Sequence, residues 1–95
     1  MNDIQLIDKD DRKAFVIEDD GQIVAEMEVT MAPSTMTVHH TNVDDKLKGQ
    51  GVAQKLLASM VSYARGNGMK VIPLCAYVHA QFKRHPDQYS DIWKP

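Results

Sequence analysis

The sequence predicts an α+β fold: a mixed five-stranded sheet built as a four-strand antiparallel meander, a crossover helix, a fifth strand parallel to the fourth, and a C-terminal helix. Three observations carry that prediction. Up to Val43 the apolar segments are short and are separated by clusters of Asp, Gly and Pro. From Gln50 to Ala64 the apolar residues recur at helical spacing. Beyond Gly66-Asn67-Gly68, a short apolar run from Lys70 to Leu74 leads into a second helical stretch.

Ile4 to Ile7 and Ala14 to Ile17 read as the first two strands, joined as a hairpin across Asp8-Lys9-Asp10-Asp11. Asp19-Asp20-Gly21 supplies the next turn, because Asp and Gly tolerate the left-handed backbone that tight hairpins need. The third strand has the clearest alternation. Ile23, Ala25, Met27, Val29 and Met31 share one face, and Glu26, Glu28 and Thr30 share the other, so this strand is half buried. After a turn at Ala32-Pro33-Ser34-Thr35, Met36 to Val43 forms a fourth strand rich in Thr, Val and His. Strict alternation along it puts His39 and His40 on opposite faces and sets His40 beside Met36 and Val38. In the long helix Val52, Leu56, Leu57, Met60, Val61 and Ala64 form one stripe, stopped by Gly66-Asn67-Gly68. Lys70 to Leu74 is a buried strand, and Tyr77 to His85 a helix with Val78 and Phe82 inward, ended before Pro86. Asp87 to Pro95 holds Tyr89, Ile92 and Trp93 and reads as a short helical turn.

The chain has 95 residues, fewer than the roughly 150 of a common domain, so residues 1–95 are read as one domain around one core. Separate cofactor and substrate lobes are excluded on length. A composition 43% hydrophobic and 25% charged lies well away from that of disordered chains, so the chain folds. The net charge of −2 leaves no bulk basic surface, which argues against a nucleic-acid partner. Cys75 is the single cysteine and has no partner for a disulfide. The start at Met1-Asn2-Asp3 lacks a basic and apolar leader, and no apolar run approaches the roughly 18 residues of a membrane span. The expectation is a cytoplasmic protein without a membrane partner.

Chemistry concentrates in Lys46-Leu47-Lys48-Gly49-Gln50-Gly51-Val52-Ala53, between the fourth strand and the long helix. A glycine-rich turn that opens a helix exposes unpaired N–H groups at the positive end of the helix dipole, an arrangement that binds phosphate. Lys46, Lys48 and Lys55 add charge around it. A Walker loop ends in Gly-Lys-Ser/Thr, and a dinucleotide fingerprint needs a small residue where this chain has Gln54; neither fits.

Lys48-Gly49-Gln50-Gly51-Val52-Ala53 resembles motif A of the GNAT superfamily of N-acetyltransferases, departing from it by Lys48 in the Arg/Gln place. His39-His40-Thr41, Val71-Ile72-Pro73-Leu74-Cys75 and Arg84-His85-Pro86-Asp87-Gln88-Tyr89 look like the small single-domain GNAT-like subfamily, so the resemblance covers nearly the whole chain. It implies an acetyl-CoA site and no metal. Pyrophosphate would lie on Lys48, Gly49, Gln50, Gly51, Val52 and Ala53, and pantetheine would run between splayed fourth and fifth strands along Asn42 and Val43. The acceptor implied is an amine. Relatives of ordinary length place helices between their first two strands and two more strands after the fifth. This chain has only a few residues in the first gap and about twenty after Cys75, which leaves an open acceptor side that suits a macromolecular amine. Two readings follow: an N-acetyltransferase, and a non-catalytic acetyl-CoA sensor or adaptor.

Cys75 lies where the fifth strand ends and a helix begins, a position near the implied acetyl group where a helix N-terminus favours thiolate; otherwise it is a core cysteine. His40 is either a general base or a histidine satisfied within the core. Glu26 is either a base that works through water or part of a solvated face. Tyr77 fits a general acid toward the departing thiolate, or an aromatic packed on the sheet. Facing opposite ways, His39 and His40 cannot share a metal, and His79 and His85 belong with Lys83 and Arg84 to a solvated helix face.

Overall fold

A computed structural model describes residues 3–95. Strands β1 (Gln5–Lys9), β2 (Arg12–Asp19), β3 (Gln22–Met31) and β4 (Thr35–Val43) form the antiparallel meander, and β5 (Lys70–Pro73) pairs parallel to β4 in the order β1-β2-β3-β4-β5. Local chemistry sets the turns. Asp20 (φ 52°) and Gly21 (φ 77°) both adopt the left-handed conformation between paired Asp19 and Gln22, a two-residue hairpin whose twist matches that of the strands.

Helices α1 (Val52–Gly66), α2 (Ala76–Arg84) and α3 (Pro86–Tyr89) cover one face of the sheet. The predicted stripe of α1 is buried against Phe15, Met27, Val29, Met36 and Val38, and Val78 and Phe82 of α2 extend the same core. Fully burying one such side chain stabilises by about 1.5–3 kcal/mol, so this contact surface holds helices and sheet together. Gly68, with φ 63°, turns the chain so that the Met69 N–H donates to the Ala64 carbonyl at 2.8 Å, which closes α1 and aims the chain into β5.

Two expectations about strand faces need correction. Glu28 pairs with His40 while Val29 pairs with Val38, so β4 carries one extra residue, His39, as a β-bulge. His39 Nε2 lies 2.6 Å from Thr30 Oγ1, and His40 Nε2 lies 3.3 Å from Glu28 Oε1. Thr30 and Glu28 are two apart on β3 and share a face, so both histidines point to the same side, away from the helices. His40 is exposed and does not join Met36 and Val38 in the core. Alternation fails because the bulge inserts a residue without a partner.

The C-terminal segment does more than make a helical turn. After α3 the chain passes along the outer edge of β5, where the Val71 N–H donates to the Ile92 carbonyl at 2.6 Å and the Lys94 N–H donates to the Val71 carbonyl at 2.8 Å. Arg65 grips Asp91 at 2.8 Å, and the Lys70 ammonium donates to the Asp91 carbonyl. This strap satisfies an edge that would otherwise lie open. Among the described residues, no helix is long and apolar enough to cross a membrane, and no three His, Cys, Asp or Glu side chains are grouped to hold a metal.

Candidate functional site

β4 and β5 pair only from Thr35↔Lys70 to Val38↔Pro73. Beyond that point the Cys75 N–H donates to the Val38 carbonyl at 2.9 Å and the chain turns into α2, while β4 continues to Val43 paired with β3 but not with β5. The parting opens a cleft of about 490 Å³. Thr41, Asn42 and Val43 form its strand wall, and Tyr77 and Gln81 of α2 face them. Leu47, Lys48, Gly49 and Gly51 of the connecting loop, with Val52, Ala53 and Gln54 of α1, close the end.

The loop is held by hydrogen bonds within itself. Asp44 Oδ1 accepts from the Lys46 N–H at 3.0 Å and caps a 3-10 turn over Asp45–Leu47, and the Gln50 N–H returns to the Leu47 carbonyl at 3.2 Å. Gly49 (φ 82°) and Gly51 (φ 73°) then bring the chain to α1 with no side chain capping the helix start. An added Cβ would meet nothing within 4 Å at Gly49, and only Gln54 Oε1 at 3.8 Å at Gly51. Glycine is therefore required for the left-handed backbone rather than for room within the protein. The N–H groups of the first turn remain for a ligand, and an anion there meets the positive end of the dipole.

Of the residues expected to hold the cofactor, Asn42, Val43, Lys48, Gly49, Gly51, Val52 and Ala53 line this cleft. Gln50 does not; its Nε2 donates to the Lys46 carbonyl at 3.2 Å and braces the loop. Lys48 Nζ sits 2.9 Å from Asp45 Oδ1, an exposed pair of little intrinsic strength, so the ammonium can exchange partners for an arriving phosphate. Thr41, Leu47, Gln54 and Gln81 were not foreseen as wall residues. For Gln81 a signal existed, since it follows Tyr77 by four residues and falls on the same helix face.

Cys75 is buried behind the strand wall, its Sγ 3.4 Å from Thr41 Oγ1. Tyr77 reaches the cleft with its hydroxyl buried and unpartnered, and burial, more than the neighbouring Tyr89 and Cys75, raises its pKa above the ordinary phenol value. It keeps its proton and can give one to a developing anion.

Glu26 and His40 lie on the sheet face away from the helices. Glu26 Oε2 is 3.0 Å from Lys9 Nζ and borders a second hollow of about 370 Å³, which shares Asn42 and Val43 with the cleft. Glu28 sits beside it, 2.6 Å from Arg12 Nη1, 3.5 Å from Lys9 Nζ and 3.3 Å from His40 Nε2. The Arg12 hydrogen bond holds the Glu28 carboxyl below the usual carboxylate range. His39 is shifted below the usual imidazole value by burial first, then by Arg12 and His40. His79 is exposed but stands edge-on to Trp93, with ring centroids 6.0 Å apart.

A mixed sheet parted between its two parallel strands, with a glycine loop opening the helix that joins them, defines an α+β protein whose cleft meets the start of that helix. The GCN5-related N-acetyl-transferase family matches residues 14–92, and the chain belongs to that family. An NMR structure of a GCN5-like protein from Staphylococcus aureus is 27% identical, with a TM-score of 0.68 over 99% of this chain and 91% of that one. Ribosomal-protein-alanine N-acetyltransferase from Brucella melitensis biovar Abortus 2308 is 18% identical, with a TM-score of 0.61 over 84% of this chain and 64% of its own. Aminoglycoside N-acetyltransferase AAC(6′)-Iy, solved in complex with CoA, is 14% identical, with a TM-score of 0.55 over 83% of this chain and 67% of its own. At those lower identities the likeness is one of fold. No curated protein matches the chain.

Proposed function

We propose that this protein binds acetyl-CoA in the cleft between β4 and β5 and transfers the acetyl group to an amine. One observation carries the reading: the uncapped start of α1, approached through two left-handed glycines, opens directly into the cleft made by the parted strands. The loop N–H groups and Lys48 suit the pyrophosphate, and the β4 edge at Asn42 and Val43 suits the amides of pantetheine. CoA in the AAC(6′)-Iy structure supports the assignment of ligand class.

In the reaction a neutral amine attacks the thioester carbonyl, a backbone N–H near Val43 stabilises the oxyanion, and Tyr77 protonates the departing thiolate. The tyrosine is suited to this because its buried hydroxyl has no competing partner. Glu26 and His40 occupy the opposite face, so as bases they would serve an acceptor that arrives from that side, across Asn42 and Val43. That side is open, which favours an amine carried on a macromolecule.

Calorimetric titration with acetyl-CoA tests the reading. Lys48→Arg is expected to bind about as well as the unaltered protein, and Lys48→Glu to bind about tenfold or more weakly. Equal affinity for all three proteins would remove Lys48 from the site. Incubation with radiolabelled acetyl-CoA and amine-bearing peptides then separates transfer from sensing, since an enzyme passes the label on and a sensor retains it.

A further inference from the structure

The chain treats the two edges of its sheet differently. The outer edge of β5 is covered by the C-terminal strap, whereas β1 ends the strand order on the other side and, among the described residues, pairs only with β2. An edge in this state presents unpaired N–H and C=O groups, which charged side chains commonly guard. Both charges of β1 are already matched within the chain. Lys9 Nζ reaches across β2 to Glu26 at 3.0 Å and Glu28 at 3.5 Å, and Asp8 Oδ1 lies 2.5 Å from Lys13 Nζ of β2, so a new strand paired there strands neither charge. Beside the same edge, on the helix side, Ile4, Leu6, Phe15 and Tyr63 line a largely apolar groove of about 510 Å³ against α1.

The hairpin decides which backbone groups face out. Its two-residue turn, Asp10-Asp11, joins Lys9 to Arg12, and in such a hairpin the closing pair is hydrogen-bonded. Alternation then commits the N–H and C=O groups of Gln5 and Ile7 to β2 and turns those of Ile4, Leu6 and Asp8 outward. We infer that this edge pairs antiparallel with β1 of a second copy of the chain, about a two-fold axis at Leu6, so that one continuous sheet crosses the dimer. A two-fold axis keeps the helix faces of both sheets on one side, so the register must oppose residues of like face. An axis at Asp8 sets like charges against each other. An axis at Ile7 joins the isoleucines on the charged face but sets Leu6, which lines the groove, opposite Asp8. The axis at Leu6 joins leucine to leucine at the mouths of both grooves, while the outward groups of Ile4 and Asp8 bond across it and Asp8 keeps Lys13 as its partner. The cleft between β4 and β5 lies at the opposite end of the strand order, so each copy keeps its cleft free whatever ligand enters it.

So short an edge makes a weak dimer, and sedimentation velocity from about 10 μM to 1 mM tests it: the mean mass should rise from that of one chain toward that of two. Asp8→Pro probes the edge itself. The Asp8 N–H faces outward, so proline there removes no bond to β2 and does remove one to the partner. The variant should keep the circular-dichroism spectrum of the unaltered protein and stay a single chain over the whole range. Amide hydrogen exchange of the unaltered protein gives a readout that does not depend on the variant folding. Exchange at Leu6 and Asp8 should slow about fivefold between the dilute and concentrated ends, while exchange at Ile7, bonded to β2 in both states, should not change. In a mixture of labelled and unlabelled protein, isotope-filtered NMR should find contacts between the Leu6 methyls of two copies; contacts between Ile7 methyls instead would overturn the axis at Leu6. A protein that is still a single chain at about 1 mM, whether its edge stays empty or takes an added foreign strand, overturns the pairing. So does a dimer that a folded Asp8→Pro still forms, or one in which exchange at Leu6 and Asp8 is unaltered.

Discussion

Cys75 and Thr41 lie 34 positions apart, yet their side chains meet at 3.4 Å behind the cleft wall because β4 and α2 converge there. Contiguous residues such as Lys48 to Ala53 are readable along the chain; a contact like this one exists only once two distant segments pack. The contact makes a sharp question about mechanism. In direct transfer the amine takes the acetyl group from CoA and Cys75 stays a packed thiol. In a two-step route the acetyl–sulfur bond to CoA breaks, a thioester to Cys75 forms, and the departing CoA thiolate takes up the proton that the cysteine has lost. Buried beside a hydroxyl, Cys75 is better placed for packing, so direct transfer is expected. Intact-mass measurement after mixing with acetyl-CoA, with no amine added, should find no adduct, and Cys75→Ala should keep its cofactor affinity. A stoichiometric acetyl adduct that is absent from Cys75→Ala and released by hydroxylamine would establish the covalent route instead.

Among the elements, α1 and β3 were legible because each is read against a single period, helical or alternating, which burial follows along α1 and at Ala25, Met27 and Val29 of β3, while Ile23 at the start of β3 is exposed. β4 was legible as a strand but not in its facing, since a bulge is a property of its pairing with β3. The C-terminal strap was missed for a related reason: one bridge between Trp93 and Val71 leaves no periodic trace. Its weight is testable through Ile92, which is 2% exposed and precedes the bridge. Ile92→Ala should lower unfolding stability by about 2–5 kcal/mol, the range for deleting a buried aliphatic side chain. Urea denaturation measures this, and a loss under about 1 kcal/mol would mean that the strap is peripheral to the fold.

The molecule as a whole has two unlike sheet faces, one buried under helices and one clad in charge. The charged face gives stability a pH dependence whose sign can be worked out. Glu28 has a folded pKa below its ordinary value, chiefly through the Arg12 hydrogen bond, so in acid the unfolded chain binds its proton first. Its stabilising contribution is present above the ordinary carboxylate range and is lost as pH falls through the depressed folded value. His39 is also shifted down, mainly by burial, so below its ordinary value of 6.5 the unfolded chain gains protons ahead of the folded one and stability falls further. Urea midpoints should therefore decline from neutral pH into acid. Glu28→Gln should flatten the acidic part of the curve, and a variant whose curve parallels that of the unaltered protein would show that Glu28 is not coupled to folding.

Order of elements, the half-buried third strand, the hairpin at Asp20-Gly21 and the glycine turn at Gly49 and Gly51 that opens α1 all follow from interactions within a few residues along the chain, which is why they can be read from it. Three features required the folded chain: the turning of both histidines to one face, the burial of Cys75 against Thr41, and the gathering of Gln54 and Gln81 from two helices onto one cleft. Each depends on how segments distant in sequence register against one another. A slip of a single residue in that register reverses every side chain beyond it, while leaving the local propensities that a sequence displays unchanged.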